Sequence, residues 1–193
     1  MTDDLAQRLA PALAPWFITR AGSRDLGRGT AFPSTDVPGG LQSDDRFFRT
    51  DLGWSCEYDG TRWLTTWEFP LAFGAGGNTY ATNYSATTTS IRWASVRNDY
   101  KLWLTYGLMT ISTGATNNGS DYAVYNFVDS NGTTVWSVST TSDGTNATVT
   151  KAASSFTQPS AVATYIRMDI AVTGAPSAQF CYTPVLYARL VVT

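Results

Sequence analysis

Acidic side chains crowd one stretch of this chain: Asp44, Asp45, Asp51, Glu57, Asp59 and Glu68. They matter because the sequence has 0 His. Without histidine there is no Ser-His-Asp or Cys-His catalysis, no histidine metal site and no histidine pH switch. A carboxylate pair is the acid–base chemistry that survives. A glycosidase needs two carboxyl groups about 5–9.5 Å apart across a cleft. Strand alternation would put Glu57 and Asp59 on one face, and Glu57 with Glu68 is a second pair a glycosidase or depolymerase could use. Against this, Asp51-Leu52-Gly53 and Asp59-Gly60 are turn sequences, in which Asp bonds its own backbone. The turn reading is favoured, so no catalytic residue is assigned and the chain is not expected to be an enzyme.

Other motifs point the same way. Asp129-Ser130-Asn131-Gly132 has the start of a calcium loop but lacks the downstream bidentate Glu. Asn-Gly between two apolar runs is a hairpin signal instead. Gly74-Ala75-Gly76-Gly77 lacks the Lys and the helix of a phosphate loop. Sequons start at Asn83, Asn118, Asn131 and Asn146, as chance allows in a chain with 29 Thr. Cys56 and Cys181 show no CxxC or zinc spacing and read as two buried thiols, although spacing alone leaves a disulfide open. No cofactor and no metal are expected. Trp54, Tyr58, Trp63 and Trp67, with Trp93 further on, offer flat rings to a sugar's apolar face. Core packing is the competing use of such rings.

The elements that must position these residues are strands. The 193 residues bound one domain plus an arm. Charged residues are 15%, aromatics 13%, and Lys only 2. Thr, Tyr, Trp and Phe suit strands and Lys does not. The formal net charge of -2 supplies no basic stripe for nucleic acid. No apolar run nears the ~18 residues of a membrane-spanning helix, and Asp3 and Asp4 stand where a secretory signal would be basic. Residues 1–20 hold the one plausible helix, capped by Thr2 and carrying Leu5, Leu9, Leu13, Trp16 and Phe17. Pro11 and Pro15 break it. Such an arm must pack on the body or on a neighbouring chain. Residues 21–42, rich in Gly and Pro, read as a linker or an extended arm that reaches a partner or wraps a surface.

From residue 43 the pattern is strand after strand. Candidates run 62–69, 87–97, 101–113, 122–129, 133–139, 145–151, 163–173 and 181–192. In 101–113 the alternation places Leu102, Leu104, Tyr106 and Leu108 on one face, and Trp103, Met109 and Ile111 on the other. A strand apolar on both faces is central or at an interface. The expected fold is all-β: a jelly-roll-like β-sandwich with an N-terminal helical or extended arm. The expected division is 1–42 arm and linker, 43–70 small β module and 71–193 sandwich.

One segment resembles a known module. Arg46-Phe47-Phe48-Arg49-Thr50-Asp51-Leu52-Gly53-Trp54, followed by Tyr58-Asp59-Gly60-Thr61-Arg62-Trp63-Leu64-Thr65, is similar to a short unit of tailed-bacteriophage structural proteins, two strands joined through Asp-Gly turns. Val185–Val192 is similar to the closing strand of jelly-roll modules in phage decoration and fibre proteins. Within the first segment, Arg46, Arg49 and Arg62 can pair with Asp51, Glu57 or Asp59, and Trp54 and Trp63 can anchor the small sheet on the main body. The resemblance implies a virion component assembled in the host cytoplasm: a capsid decoration (cement) protein or a head or tail fibre protein. Its partners would be major capsid or tail proteins and copies of itself, as a homo-trimer. On that reading Leu5, Leu9, Leu13, Trp16 and Phe17 form the attachment arm, and deleting 1–20 abolishes assembly while the β body still folds. The alternative is a carbohydrate-binding module that recognises a host-surface glycan through Trp54, Trp63, Trp67 or Trp93.

Overall fold

The computed structural model describes residues 18–20, 23–34, 36–73, 80–81, 88–95, 100–177 and 179–193. The expected helix and arm, with Leu5, Leu9, Leu13, Trp16 and Phe17, lie outside them, as does Gly74–Gly77. Every regular element in the described residues is a strand. In chain order these are β1 (Ile18–Arg20), β2 (Ser23–Gly29), β3 (Arg46–Arg49), β4 (Trp54–Tyr58), β5 (Trp63–Thr65), β6 (Phe69–Ala72), β7 (Tyr80–Ala81), β8 (Thr88–Ser95), β9 (Lys101–Ser112), β10 (Tyr122–Asp129), β11 (Thr134–Ser139), β12 (Thr148–Ala153), β13 (Tyr165–Thr173) and β14 (Phe180–Val192). The chain forms two compact units. The described residues up to 67, with 190–193, make the smaller, and those from 68 to 189 the larger.

The larger unit is a jelly roll by its own strand pairing. β6 and β7 both pair antiparallel with β14 and count as one interrupted first strand. Eight strands then pair first with eighth, second with seventh (β8 with β13), third with sixth (β9 with β12) and fourth with fifth (β10 with β11). That nesting is a long hairpin rolled up on itself, the double Greek key of a jelly roll. One sheet carries β14, β9 and β12; the other runs β11-β10-β13-β8. Leu102, Leu104, Met109 and Ile111 of β9 and Leu186 of β14 are buried from one sheet. Tyr125, Phe127, Ile166, Met168 and Ile170 are buried from the other. Phe73 meets Phe127 edge-on at 5.1 Å, and Phe127 stacks on Trp136 at 4.8 Å.

The faces of β9 differ from the expected alternation. Thr105 and Tyr106 both turn away from the core, Tyr106 being 39% exposed, and Gly107 turns in. The strand changes phase there, so Leu102 and Leu104 share the buried side with Met109 and Ile111, while Leu108 leaves it. The cause is tertiary. A Cβ on Gly107 would stand 3.0 Å from Leu186 and 3.2 Å from the Phe156 ring, so a larger residue facing inward would press on both. β12 ends opposite Gly107. Beyond it Gln158 takes over as a strand edge: its Oε1 accepts from the Leu104 N–H at 2.7 Å and its Nε2 donates to the Leu104 carbonyl at 2.9 Å.

The smaller unit is a sheet in the order β1-β2-β3-β4-β5, continued by Val191 and Val192 at the end of β14, opposite Leu64 and Trp63. β2 and β3 run parallel and the other pairs antiparallel. Residues 21–42, expected as a linker or extended arm, are in part built into this unit. Ser23–Gly29 is a strand, and Leu26 and Val37 are buried in one cluster with Phe47, Cys56, Trp63 and Val192. Gly and Pro shape the turns of this stretch, but two apolar side chains and Arg24 tie it into the fold. The two compact units divide after residue 67, and the end of β14 belongs to the smaller.

Candidate functional site

The small sheet is built by its turns. Asp59 Oδ1 accepts from the N–H groups of Thr61 and Arg62, both at 2.8 Å, and closes the loop that sets Tyr58 opposite Trp63. The Gly53 N–H donates to the Arg49 carbonyl at 2.8 Å and closes the β3–β4 turn. The three arginines of the phage-like module are paired: Arg46 to Glu57 across strands at 3.3 Å, Arg49 to Asp51 at 2.9 Å and Arg62 to Asp59 at 3.3 Å. Arg49 also lies 4.7 Å over the Phe32 ring. Its guanidinium holds the Asp51 carboxyl below the ordinary Asp range. Glu57 and Asp59, the strand-face pair weighed for acid–base work, are thus engaged in an ion pair and in a turn.

Alternation then sorts this sheet into two faces. Phe47 (7% exposed) and Cys56 (0%) face the core. Arg46 and Phe48 must therefore face out, and Phe48 is 38% exposed. Strand register sets two rows side by side on that outer face. Arg28, Phe48 and Ser55 stand opposite one another in the first row, and Asp25, Arg46 and Glu57 in the second. Thr66 extends the first row through its N–H bond to the Ser55 carbonyl at 2.9 Å. Asp25, Arg28, Arg46, Phe48, Ser55 and Thr66 line a shallow groove of about 730 Å³.

The guanidinium groups there are under-used. Arg28 is exposed and has no hydrogen-bond or ion-pair partner among the described residues. Arg46 makes its contact to Glu57, and its Nε has no hydrogen-bond partner. Asp25 turns one oxygen back onto the Gly27 N–H at 2.8 Å. Chemically the groove offers one exposed aromatic ring, hydroxyls, a carboxylate and guanidinium donors: a binding surface with no positioned nucleophile.

The tryptophans proposed as ligand-facing separate. Trp63 is 6% exposed, stacked on Phe32 at 4.7 Å and 2°. It is a core residue of its own unit and has no face left for a ligand. Trp67 is 40% exposed and meets Trp54 edge-to-face at 5.9 Å, with Trp54 half-buried. Trp93 stands opposite Arg167 on β8, and its side chain lies outside what the structure describes. Sequence reasoning missed Phe48 and Arg28. The signal for Phe48 was present in Arg46-Phe47-Phe48-Arg49: adjacent Phe residues on a strand point to opposite faces.

Two further expectations reach the described residues. Asp129 makes a hairpin turn: its Oδ1 accepts from the N–H groups of Asn131 at 2.9 Å and Thr133 at 2.8 Å. Cys56 and Cys181 are both buried thiols outside any disulfide, and burial pushes the Cys181 thiol up to about 12.

No family model matches the chain, and no curated protein matches it. Solved structures match in part. An infectious bursal disease virus structure (Gx strain) aligns at 14% identity and TM-score 0.42, covering 69% of this chain and 34% of that one. A cyanophage Pam1 capsid structure aligns at 16% identity and TM-score 0.35, covering 62% and 89%. A Bacillus endospore appendage, described as a disulfide-linked pilus, aligns at 11% identity and TM-score 0.33, covering 66% and 92%. The chain spans about a third of the length of the bursal disease virus chain. Likenesses at these scores carry no weight for function, and the jelly roll stands on its own strand pairing.

Proposed function

We propose that this chain is a structural protein of a tailed-bacteriophage particle, acting through subunit interfaces as a capsid decoration protein or as a head or tail fibre protein. The observation that carries the reading is the Arg46–Thr65 segment. The residues that resemble the phage module form β3, β4 and β5, with their turns closed by the module's own Asp and Gly and its arginines all paired. The jelly roll of the larger unit is compatible with a shell or fibre component, and fold alone assigns no function. A cement or fibre protein works by burial across interfaces, which asks for contact surfaces and not for a nucleophile. The arm is part of this proposal. Leu5, Leu9, Leu13, Trp16 and Phe17 attach the protein to major capsid or tail proteins, and the protein is a trimer.

The test is mass spectrometry of gradient-purified particles of the phage that encodes the chain. Its peptides at a fixed stoichiometry to the major capsid or tail protein support the reading, and their absence overturns it. Recombinant protein mixed with particles lacking it then tests the arm: the full chain loads, and a chain without residues 1–20 stays free although its β body still unfolds cooperatively. Loading of the truncated chain at full occupancy would refute the role of the arm. Light scattering of the purified full chain reads the oligomer directly, as a mass near three times 20.9 kDa.

A further inference from the structure

We propose that the outer-face groove of the small sheet binds an acidic saccharide, a chain of pyranose rings bearing carboxylates. Phe48 is the ring against which a sugar stacks, and Arg28 is the group that takes the carboxylate. The inference rests on the geometry of one sheet and does not depend on a virion role.

Phe48, 38% exposed, supplies the apolar surface of a row that is otherwise polar. What flanks it says what would bind there. On one side stands Arg28, with no partner among the described residues, and in the next row is Arg46, with an Nε that has none. On the other side are the Ser55 and Thr66 side chains, both exposed. An apolar protein surface would bury these hydroxyls and guanidiniums without satisfying them, at a cost. A bare anion would satisfy Arg28 and leave the ring uncovered. A saccharide does both, because a pyranose has an apolar C–H face for the ring and hydroxyls for Ser55, Thr66 and the Asp25 carboxylate. A carboxylate on that sugar matches a planar guanidinium with two parallel hydrogen bonds. The groove, about 730 Å³, leaves room for sugar rings laid across the sheet.

The experiment is titration calorimetry on the full-length protein at low salt. The probes are oligogalacturonate and hyaluronan hexasaccharides, with cellohexaose as the neutral chain and acetate as the anion alone. At least one acidic hexasaccharide binds and weakens as salt is added; cellohexaose binds at least about tenfold more weakly, and acetate gives no saturable heat. Phe48→Ala and Arg28→Gln each weaken the acidic sugar by about tenfold or more, while Tyr106→Ala, in the larger unit, leaves it unchanged. All three positions are exposed, and circular dichroism confirms that the variants are folded. Silence with both acidic sugars overturns the proposal, as does binding indifferent to Phe48 and Arg28. Equal binding of cellohexaose overturns its acidic half. If Phe48→Ala instead lowers the mass in solution, the groove is a contact between copies and the proposal fails.

Discussion

The Arg24 guanidinium clasps the Asp45 carboxylate with two parallel bonds, Nε to Oδ1 at 2.8 Å and Nη2 to Oδ2 at 2.6 Å, across 21 residues of sequence. Asp45 is fully buried. Its Oδ2 also accepts from the Gln42 N–H at 2.8 Å, and Arg24 reaches on to the carbonyls of Pro38 and Gly40. One ion pair thus pins a Gly- and Pro-rich loop against β2. It turns what reads locally as a linker into part of a core.

Removing one member of that pair leaves the other uncompensated. Arg24→Ala should lower stability by about 3–5 kcal/mol, while replacing both, Arg24→Met with Asp45→Leu, should cost less. Urea unfolding of the two variants beside the parent checks this. A double variant less stable than Arg24→Ala would contradict the penalty assigned to an uncompensated Asp45 carboxylate.

Trp63 and Trp67 are four residues apart and should differ sharply. Trp63→Ala empties a stacked core position and should cost about 3–5 kcal/mol. Trp67→Ala, at an exposed ring, should cost under about 1 kcal/mol. Thermal unfolding of both variants separates them, and equal losses would contradict the burial described here.

Two glycines should fail for different reasons. At Gly107 an added methyl meets side chains, Leu186 and Phe156. These can shift, so Gly107→Ala should cost about 1–3 kcal/mol. At Gly174, φ is +66° and the added methyl would run into the Ser120 backbone carbonyl and Asp121. Backbone cannot rotate away, so Gly174→Ala should be the worse of the two, by denaturant midpoint.

The thiols should be silent until the protein unfolds. Cys56 and Cys181 are fully buried, and the Cys181 thiol is pushed up to about 12 by burial alone. Ellman's reagent at pH 8 should find no rapidly reacting thiol in the native protein and both after denaturation. A fast-reacting thiol in the folded state would contradict the packing of its unit.

Acid should weaken each unit through a named carboxylate. Asp51 is lowered chiefly by Arg49, and Asp121 chiefly by the Ala175 N–H. A carboxylate held below its unfolded value stabilises the fold above that value, about pH 3.9 for Asp, and the stabilisation is lost as pH falls through the folded pKa. Stability should therefore fall as pH drops from about 5 toward 2. Asp51→Asn and Asp121→Asn should each flatten that slope, in urea unfolding repeated across the range. An unchanged slope in both variants would assign the acid sensitivity elsewhere.

The strands of the jelly roll were legible because their signals are local. Tyr122–Asp129 and the Asn131-Gly132 turn follow from alternation and turn chemistry within a dozen residues, and β9, β13 and β14 came out within two residues of their ends. The arginine pairs of the phage-like module were legible for the same reason, being two, three and eleven residues apart.

What needed the tertiary structure was every feature whose partner lies far along the chain. The phase change of β9 depends on Phe156 and Leu186 crowding Gly107. The burial of Trp63 depends on Phe32, and the order of the small sheet on Leu190, whose N–H bonds the Thr65 hydroxyl across 125 residues. The groove depends on β2 lying parallel to β3, which sets Arg28 beside Phe48. Composition and alternation say that a residue must face in or out. Which distant residue meets it there is decided by packing, because the free energy of burial is shared among surfaces that the chain brings together only when folded.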